Sequence, residues 1–200
     1  MSLWEIESEI HAGGISPVCG VDEAGRGPLA GPVYAAAVIL PLGIEIAGLT
    51  DSKKLSEKKR EELYPVILEK ALYYGVGFAD VSEIEELNIL NATYLAMNRA
   101  IQSMGIAPAL ALIDGNMASG VSFPNRTVVK GDSKCASIAA ASIIAKVTRD
   151  RYMAELAVKY PEYGFEKHKG YGTKQHTCAI QEHGACAEHR PFFLRKINGN

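Results

Sequence analysis

Asp22 and Glu23 are adjacent carboxylates placed where an apolar run ends, and Gly25-Arg26-Gly27 follows at once. Acids at the end of a strand offer oxygen ligands at a sheet edge, and Mg²⁺ or Mn²⁺ is held by such carboxylates together with substrate phosphates. Gly25 and Gly27 have no Cβ, so the backbone there is free to take positive φ, to approach another chain closely and to present N–H groups as an anion nest. Arg26 adds a rigid cationic fork. Taken alone, the segment reads equally well as a polar turn after a strand, since Asp and Gly are ordinary turn formers. Two later acids carry the same ambiguity. Asp114-Gly115 has the form of a turn, and Asp132 before Ser133 that of a helix N-cap.

Taken in order, the chemistry-bearing blocks resolve these alternatives. Gly20-Val21-Asp22-Glu23-Ala24-Gly25-Arg26-Gly27-Pro28-Leu29-Ala30-Gly31-Pro32-Val33 is followed by Asp51-Ser52-Lys53-Lys54-Leu55-Ser56, Ile113-Asp114-Gly115 and Lys130-Gly131-Asp132-Ser133-Lys134. The run from Ser137 to Arg151 and His168-Lys169-Gly170-Tyr171-Gly172-Thr173 complete the series. Over nearly the whole chain this order resembles the ribonuclease HII family, which cuts DNA at embedded ribonucleotides. The resemblance implies a ribonuclease H-like α/β fold with a mixed five-stranded sheet flanked by helices and a small C-terminal helical appendage. It also implies that Asp22, Glu23, Asp114 and Asp132 are the catalytic metal ligands, with Asp22 bridging.

Four acids suit phosphodiester hydrolysis because two divalent cations about 3.5–4 Å apart activate the attacking water and stabilise the leaving oxygen. Bound metal also removes the repulsion among the clustered acids. The resemblance implies Mn²⁺ or Mg²⁺, two ions per site with substrate bound. The cut falls on the 5′ side of the ribonucleotide and leaves 3′-hydroxyl and 5′-phosphate ends, in DNA duplexes containing ribonucleotides and in RNA/DNA hybrids. Selectivity must come from the 2′-hydroxyl. In the family this falls to the Gly-Arg-Gly backbone and the tyrosine of Gly-Tyr-Gly-Thr, here Gly25, Arg26, Gly27 and Tyr171. Lys53, with Lys54 and Lys58 to Arg60 nearby, suits steering of the phosphate backbone or, equally, an exposed charged helix start. The related ribonuclease HIII carries an extra N-terminal domain and a Gly-Thr-Gly-like element; here Arg26 is present and few residues precede Asp22. An inactive nucleic-acid binder of the same fold is the rival of another class, and the presence of all four acids argues against it.

Composition bounds the rest. Two hundred residues at 48% hydrophobic suit one domain with a sizeable core. The net charge of −2 hides an asymmetry: residues 1–125 carry 8 Lys+Arg against 16 Asp+Glu, and residues 126–200 carry 13 against 7. The basic excess in the second part favours an anionic partner. The Ala/Ile run at 135–145 is too short for a membrane span and is flanked by Lys134 and Lys146. The acidic start does not resemble a secretion signal, and the four cysteines form no C-x-x-C pair. A cytoplasmic, monomeric protein with reduced thiols is expected.

Periodicity and breakers predict the elements that must position these groups. Strands are expected at 19–23, 32–40, 72–79, 109–113 and 127–129. Helices are expected from near Ser2, over 57–70 with Ser56 as N-cap, over 88–104 ending at Gly105, and from Ser133 to about Tyr160. The catalytic unit then covers 1–172 and the appendage 173–200, within one structural unit. Asp150, deep in the last long helix, reads as an ion-pair partner of Arg149, Arg151 or Lys146. His176, Cys178, His183, Cys186 and His189 lack the tight paired spacing of zinc motifs and read as incidental residues of an exposed helical tail. The family more often has a serine before phenylalanine where Pro191-Phe192-Phe193 stands here, which puts substrate docking by the C-terminus in doubt.

Overall fold

A computed structural model describes residues 2–195. Strands β1 (Val18–Ala24), β2 (Val33–Ile39), β3 (Tyr73–Ala79), β4 (Leu110–Asp114) and β5 (Asn125–Val128) form one sheet in the order β3-β2-β1-β4-β5. The β1/β2 and β2/β3 pairs are antiparallel, and β1/β4 and β4/β5 are parallel. This is the expected mixed five-stranded sheet, with helices on both faces.

Alternation along β2 shows how the two faces are filled, because successive strand residues point to opposite sides. Val33, Ala35, Ala37 and Ile39 pack with Ala92, Ala96 and Met97 of α3 (Val81–Ser103). Ala36 and Val38 pack with Ala140, Ile143 and Ile144 of α4 (Ala136–Lys159) and with Leu63 and Ile67 of α2 (Glu57–Lys70). Each fully buried Ile or Leu contributes about 1.5–3 kcal/mol. The many alanines let the helix axes come close. Gly20 carries this further, since a Cβ there would sit 2.2 Å from the Ile138 backbone nitrogen. The first half of α4 is thereby seated across the end of β1, which places its later residues at the acids.

The N-terminus of α4 is capped from a distance. Its N-cap, Cys135, makes no side-chain cap. Glu7 of α1 (Glu5–Ala12), only 2% exposed, accepts from the Ala136 and Ser137 amides at 3.1 Å each and from the Ser137 hydroxyl. A carboxylate at a helix N-terminus satisfies orphan donors and complements the dipole.

Several boundaries differ from the sequence expectation. Helix α3 begins at Val81, because Asp80 and Glu83 form a reciprocal capping box. Asn88, at φ 65°, then breaks it, and its Oδ1 accepts from the Leu90 and Asn91 amides. Asn88 does begin a helix, the second of two joined by a kink. Helix α4 begins at Ala136, because Gly131–Ser133 closes a separate 3₁₀ turn; Asp132 lies inside that turn and caps no helix. Strand β5 starts at Asn125, paired with Ala111.

The C-terminal segment forms α5 (Phe165–His168), α6 (Lys174–His183) and α7 (Pro191–Leu194); residues 196–200 of the expected appendage lie outside the described residues. Its histidines are not all exposed, as the sequence had suggested. His176 and His189 are 0% and 3% exposed, with their Nε2 atoms 3.1 Å apart, and Phe165 packs edge-on to His176. The chain returns to the loop between β1 and β2, where Ala30 pairs with His189 in an isolated bridge. Among the described residues no helix is long and apolar enough to cross a membrane.

Candidate metal and nucleic-acid site

The acids converge where β1 and β4 end side by side. Their parallel pairing runs to Val21 opposite Ile113, so the next residue on each strand, Asp22 and Asp114, projects past the last shared register. Asp132 reaches the same point from the 3₁₀ turn after β5. Oxygens of Asp22, Asp114 and Asp132 all lie within 4.8 Å of one another. The turn is locked to the site, for Asp114 Oδ1 accepts from the Gly131 amide at 2.6 Å.

Glu23 stands apart from this trio. The strand is regular here, with Asp22 opposite Ala36 and Glu23 opposite Ala35, so the two side chains diverge. Glu23 lines the same cleft and pairs with Arg26 at 3.3 Å. Gly25 turns the chain at φ 102°, and a Cβ there would meet Arg149 Nε at 2.1 Å. Gly27 does not use the left-handed freedom open to it; its bare Cα faces Tyr171, whose Cε1 would lie 3.6 Å from an added Cβ.

The electrostatics is that of an acid cluster short of cations. Burial pushes the Asp22 carboxyl well above the usual range, the charges of Glu23 and Asp114 push it further, and the Glu23 amide and Ser142 hydroxyl oppose the shift. Asp132 is raised by burial and then by Asp114 and Asp51, against Lys53. Glu23 is raised by burial, against Arg26, with Asp114 adding to the rise. Lys53 approaches Asp132 at 3.5 Å; burial disfavours its charge, but Asp22, Asp132 and Asp114 together raise its pKa. One lysine amine thus stands where several acids need positive charge. All-oxygen donors with excess negative charge fit a hard divalent cation such as Mg²⁺ or Mn²⁺.

The open cleft of about 210 Å³ is walled by Asp22, Glu23, Asp114, the Gly25-Arg26-Gly27 loop, Lys53 and Tyr171. A larger hollow between Trp4 and Ile44 is mostly apolar and gathers no acid cluster. Sequence reasoning missed Ser142, Lys146 and Arg149 on the cleft wall. Their i, i+4, i+7 spacing on α4 is a legible signal, since it places them on one helix face. Asp150 pairs with Lys146 at 2.7 Å, as expected, and also with Arg60 at 3.6 Å. Arg60 further donates to the Ser52 and Leu55 carbonyls, so it braces the loop and does not reach outward for phosphate.

Comparison with known proteins agrees with this geometry. The sequence pattern described as Ribonuclease HII matches residues 19–197. A ribonuclease HII of Caldicellulosiruptor bescii is 51% identical over 196 residues, covering 98% of this chain and 95% of the relative. The ribonuclease H2 of Pyrococcus horikoshii OT3 superposes with a TM-score of 0.71 at 28% identity, covering 91% of this chain and 97% of that one. The fold is shared more distantly with Bst-RNase HIII in complex with Mn²⁺, at a TM-score of 0.65 and 21% identity, covering 84% and 62% of the two chains. The acids gathered at the ends of β1 and β4 and the match along almost the whole sequence lead to one assignment: the chain belongs to the ribonuclease HII family of metal-dependent endoribonucleases.

Proposed function

We propose that Asp22, Glu23, Asp114 and Asp132 hold two divalent cations, Mn²⁺ or Mg²⁺, and that the enzyme cuts on the 5′ side of ribonucleotides in duplex DNA and RNA/DNA hybrids. The convergence of Asp22, Asp114 and Asp132 beside the Gly25-Arg26-Gly27 loop and Tyr171 carries this reading. Mn²⁺ is bound in the more distant Bst-RNase HIII, and the donor set here suits the same class of ion. Bound metal supplies charge neutralisation for the phosphate and activation of the attacking water.

The chain's own residues do the remaining work. The Arg26 and Gly27 amides and the Tyr171 hydroxyl hydrogen-bond the ribose 2′-hydroxyl, and the Tyr171 ring, 45% exposed over the loop, packs on the following deoxyribose. Lys53, 3.5 Å from Asp132, and Arg26, 3.3 Å from Glu23, stand on the cleft wall and would supply positive charge to the phosphate backbone. The protein acts as a cytoplasmic monomer on these anionic duplexes.

The test is cleavage of a duplex with one ribonucleotide, beside an RNA/DNA hybrid and an all-DNA control, for the wild type and Asp114→Asn. Cutting 5′ to the lone ribonucleotide, lost with chelator and in the variant, is the expected result. Binding without cutting would make the chain an inactive member of its family, and cutting only the hybrid would remove Tyr171 from junction recognition.

A further inference from the structure

Arg190 is fully buried, yet no carboxylate pairs with it among the described residues. Its five N–H donors all go to backbone carbonyls of a single loop. Nε donates to Gly31 at 2.9 Å, Nη1 to Arg26 at 3.1 Å and Pro28 at 2.9 Å, and Nη2 to Gly25 and Gly31 at 2.7 Å each. A guanidinium has five such donors in a fixed fork, so the loop uses the group completely. Main-chain bonds fasten the same strap, with the Arg190 amide donating to Leu29 and the Gly31 amide to Glu188, both at 2.8 Å.

Peptide geometry turns this clamp into an aiming device. In a trans peptide the carbonyl of one residue and the amide of the next point in opposite directions. Drawing the Gly25 carbonyl onto Arg190 therefore turns the Arg26 N–H away from Arg190, and drawing in the Arg26 carbonyl does the same for the Gly27 N–H. Neither amide donates to another group among the described residues. Arg190 lies behind the loop and the cleft lies in front of it, lined by Gly25, Arg26 and Gly27 but not by Arg190. The third clamped peptide shows the same logic completed, for the Pro28 carbonyl meets Arg190 while the Leu29 amide donates to the Gly170 carbonyl at 2.8 Å, beside Tyr171.

We propose that Arg190 is a positioning residue for ribose selectivity: its guanidinium fixes the Gly25 and Arg26 carbonyls inward, so that the Arg26 and Gly27 amides stand ready as donors to the 2′-hydroxyl. This rests on the reading that the loop recognises the ribose. Arg149 is the natural comparison. It too is buried and donates to carbonyls, but to those of Ala30, Pro32 and Lys169, none of which orients the two recognition amides.

The experiment compares wild type, Arg190→Lys and Arg149→Lys. It measures kcat and KM on a single-ribonucleotide duplex, inhibition by an all-DNA duplex, and the Mn²⁺ concentration for half-maximal rate. Lysine keeps the charge but cannot reach four carbonyls. Arg190→Lys is expected to lose about tenfold or more in kcat/KM on the ribonucleotide substrate, the order expected from misdirected hydrogen bonds. Inhibition by plain DNA and the Mn²⁺ requirement stay within about twofold, and Arg149→Lys keeps more of the discrimination. A folded Arg190→Lys enzyme with unchanged kcat/KM overturns the clamp. A wild type that cuts all-DNA duplex as readily overturns instead the ribose reading beneath it.

Should Arg190→Lys fail to fold, amide NMR of the wild type in chelator decides. The Arg26 and Gly27 resonances must respond to the ribonucleotide duplex and not to all-DNA, while the Arg190 Nε–H resonance stays unchanged. Equal responses to the two duplexes, or a moving Nε–H, overturn the proposal.

Discussion

Asp22→Asn is expected to make the metal-free protein more stable while abolishing cleavage. Asp22 is 3% exposed and shares its site with Asp114 and Asp132, with oxygens within 4.8 Å. Two unit charges at that separation repel by about 3 kcal/mol at an effective dielectric of about 20. Two such neighbours together give about 7 kcal/mol with every acid ionised, reduced by Lys53 at 3.5 Å from Asp132 and by protonation of part of the cluster. Asparagine keeps Oδ1, which accepts from the Glu23 amide at 2.7 Å, and the Ser142 hydroxyl retains Ser52 Oγ at 2.6 Å as a partner, so no buried donor is orphaned. A net gain of about 2 kcal/mol follows, or about 4–8 °C in Tm for a chain of this size. The assay is thermal unfolding in chelator and again in millimolar Mn²⁺. In chelator the variant melts higher; added metal raises the wild type and leaves the variant nearly unmoved, because binding to the native state alone stabilises it. A variant that melts at or below wild type in chelator would refute the view that these acids are an uncompensated cluster awaiting cations.

Other perturbations reach different parts of the argument. Glu7→Ala should cost about 1–3 kcal/mol by urea unfolding, since it strips the Ser137 amide and hydroxyl of their buried acceptor while the Ala136 amide keeps the Leu3 carbonyl at 2.9 Å; a loss under about 0.5 kcal/mol would mean water replaces the cap. Tyr171→Ala should lower kcat/KM on a single ribonucleotide about tenfold more than on a long hybrid, with the Mn²⁺ requirement unchanged; equal losses on both would argue against junction recognition. His176 should give the protein an acid-labile limb. Burial lowers its pKa to about 4, below the unfolded value of about 6.5. The unfolded chain therefore binds the proton first as pH falls. Stability from this residue is complete above about pH 6.5, declines through the interval and is gone below about pH 4, a total of about 3 kcal/mol. Urea midpoints of wild type and His176→Gln across that range should converge on acidification, and parallel curves would exclude His176 as the source.

What could be read from the sequence divides along a physical line. Strand alternation, the Ser56 cap and the acids at the ends of apolar runs are local properties, and they placed β1 to β4 and α2 within a few residues. The Asp80-x-x-Glu83 box was equally local, but the polar stretch up to Asn88 masked the first turns of α3, and the kink made one expected helix into two. Asp132 was ambiguous from its neighbours alone: an acid before a serine reads as an N-cap, but its turn closes separately, and the carboxylate gathers with Asp22 and Asp114 instead. The burial of His176 and His189 could not be read from spacing, because it depends on α6 folding back over Phe165.

The two buried arginines show why such positions escape a sequence reading. A lone guanidinium in an interior is costly by desolvation, so composition assigns Arg149 and Arg190 to the surface or to nucleic acid. What offsets the cost is a loop that makes no sheet of its own. Residues 25–32 leave β1 and enter β2 without pairing to each other, and their carbonyls would otherwise lie buried without donors. Carboxylates could not satisfy carbonyls, whereas arginine supplies several donors from one rigid plane. Two charges of the basic excess after residue 125 are thus used inside the protein, holding the carbonyls of residues 25–32 from within.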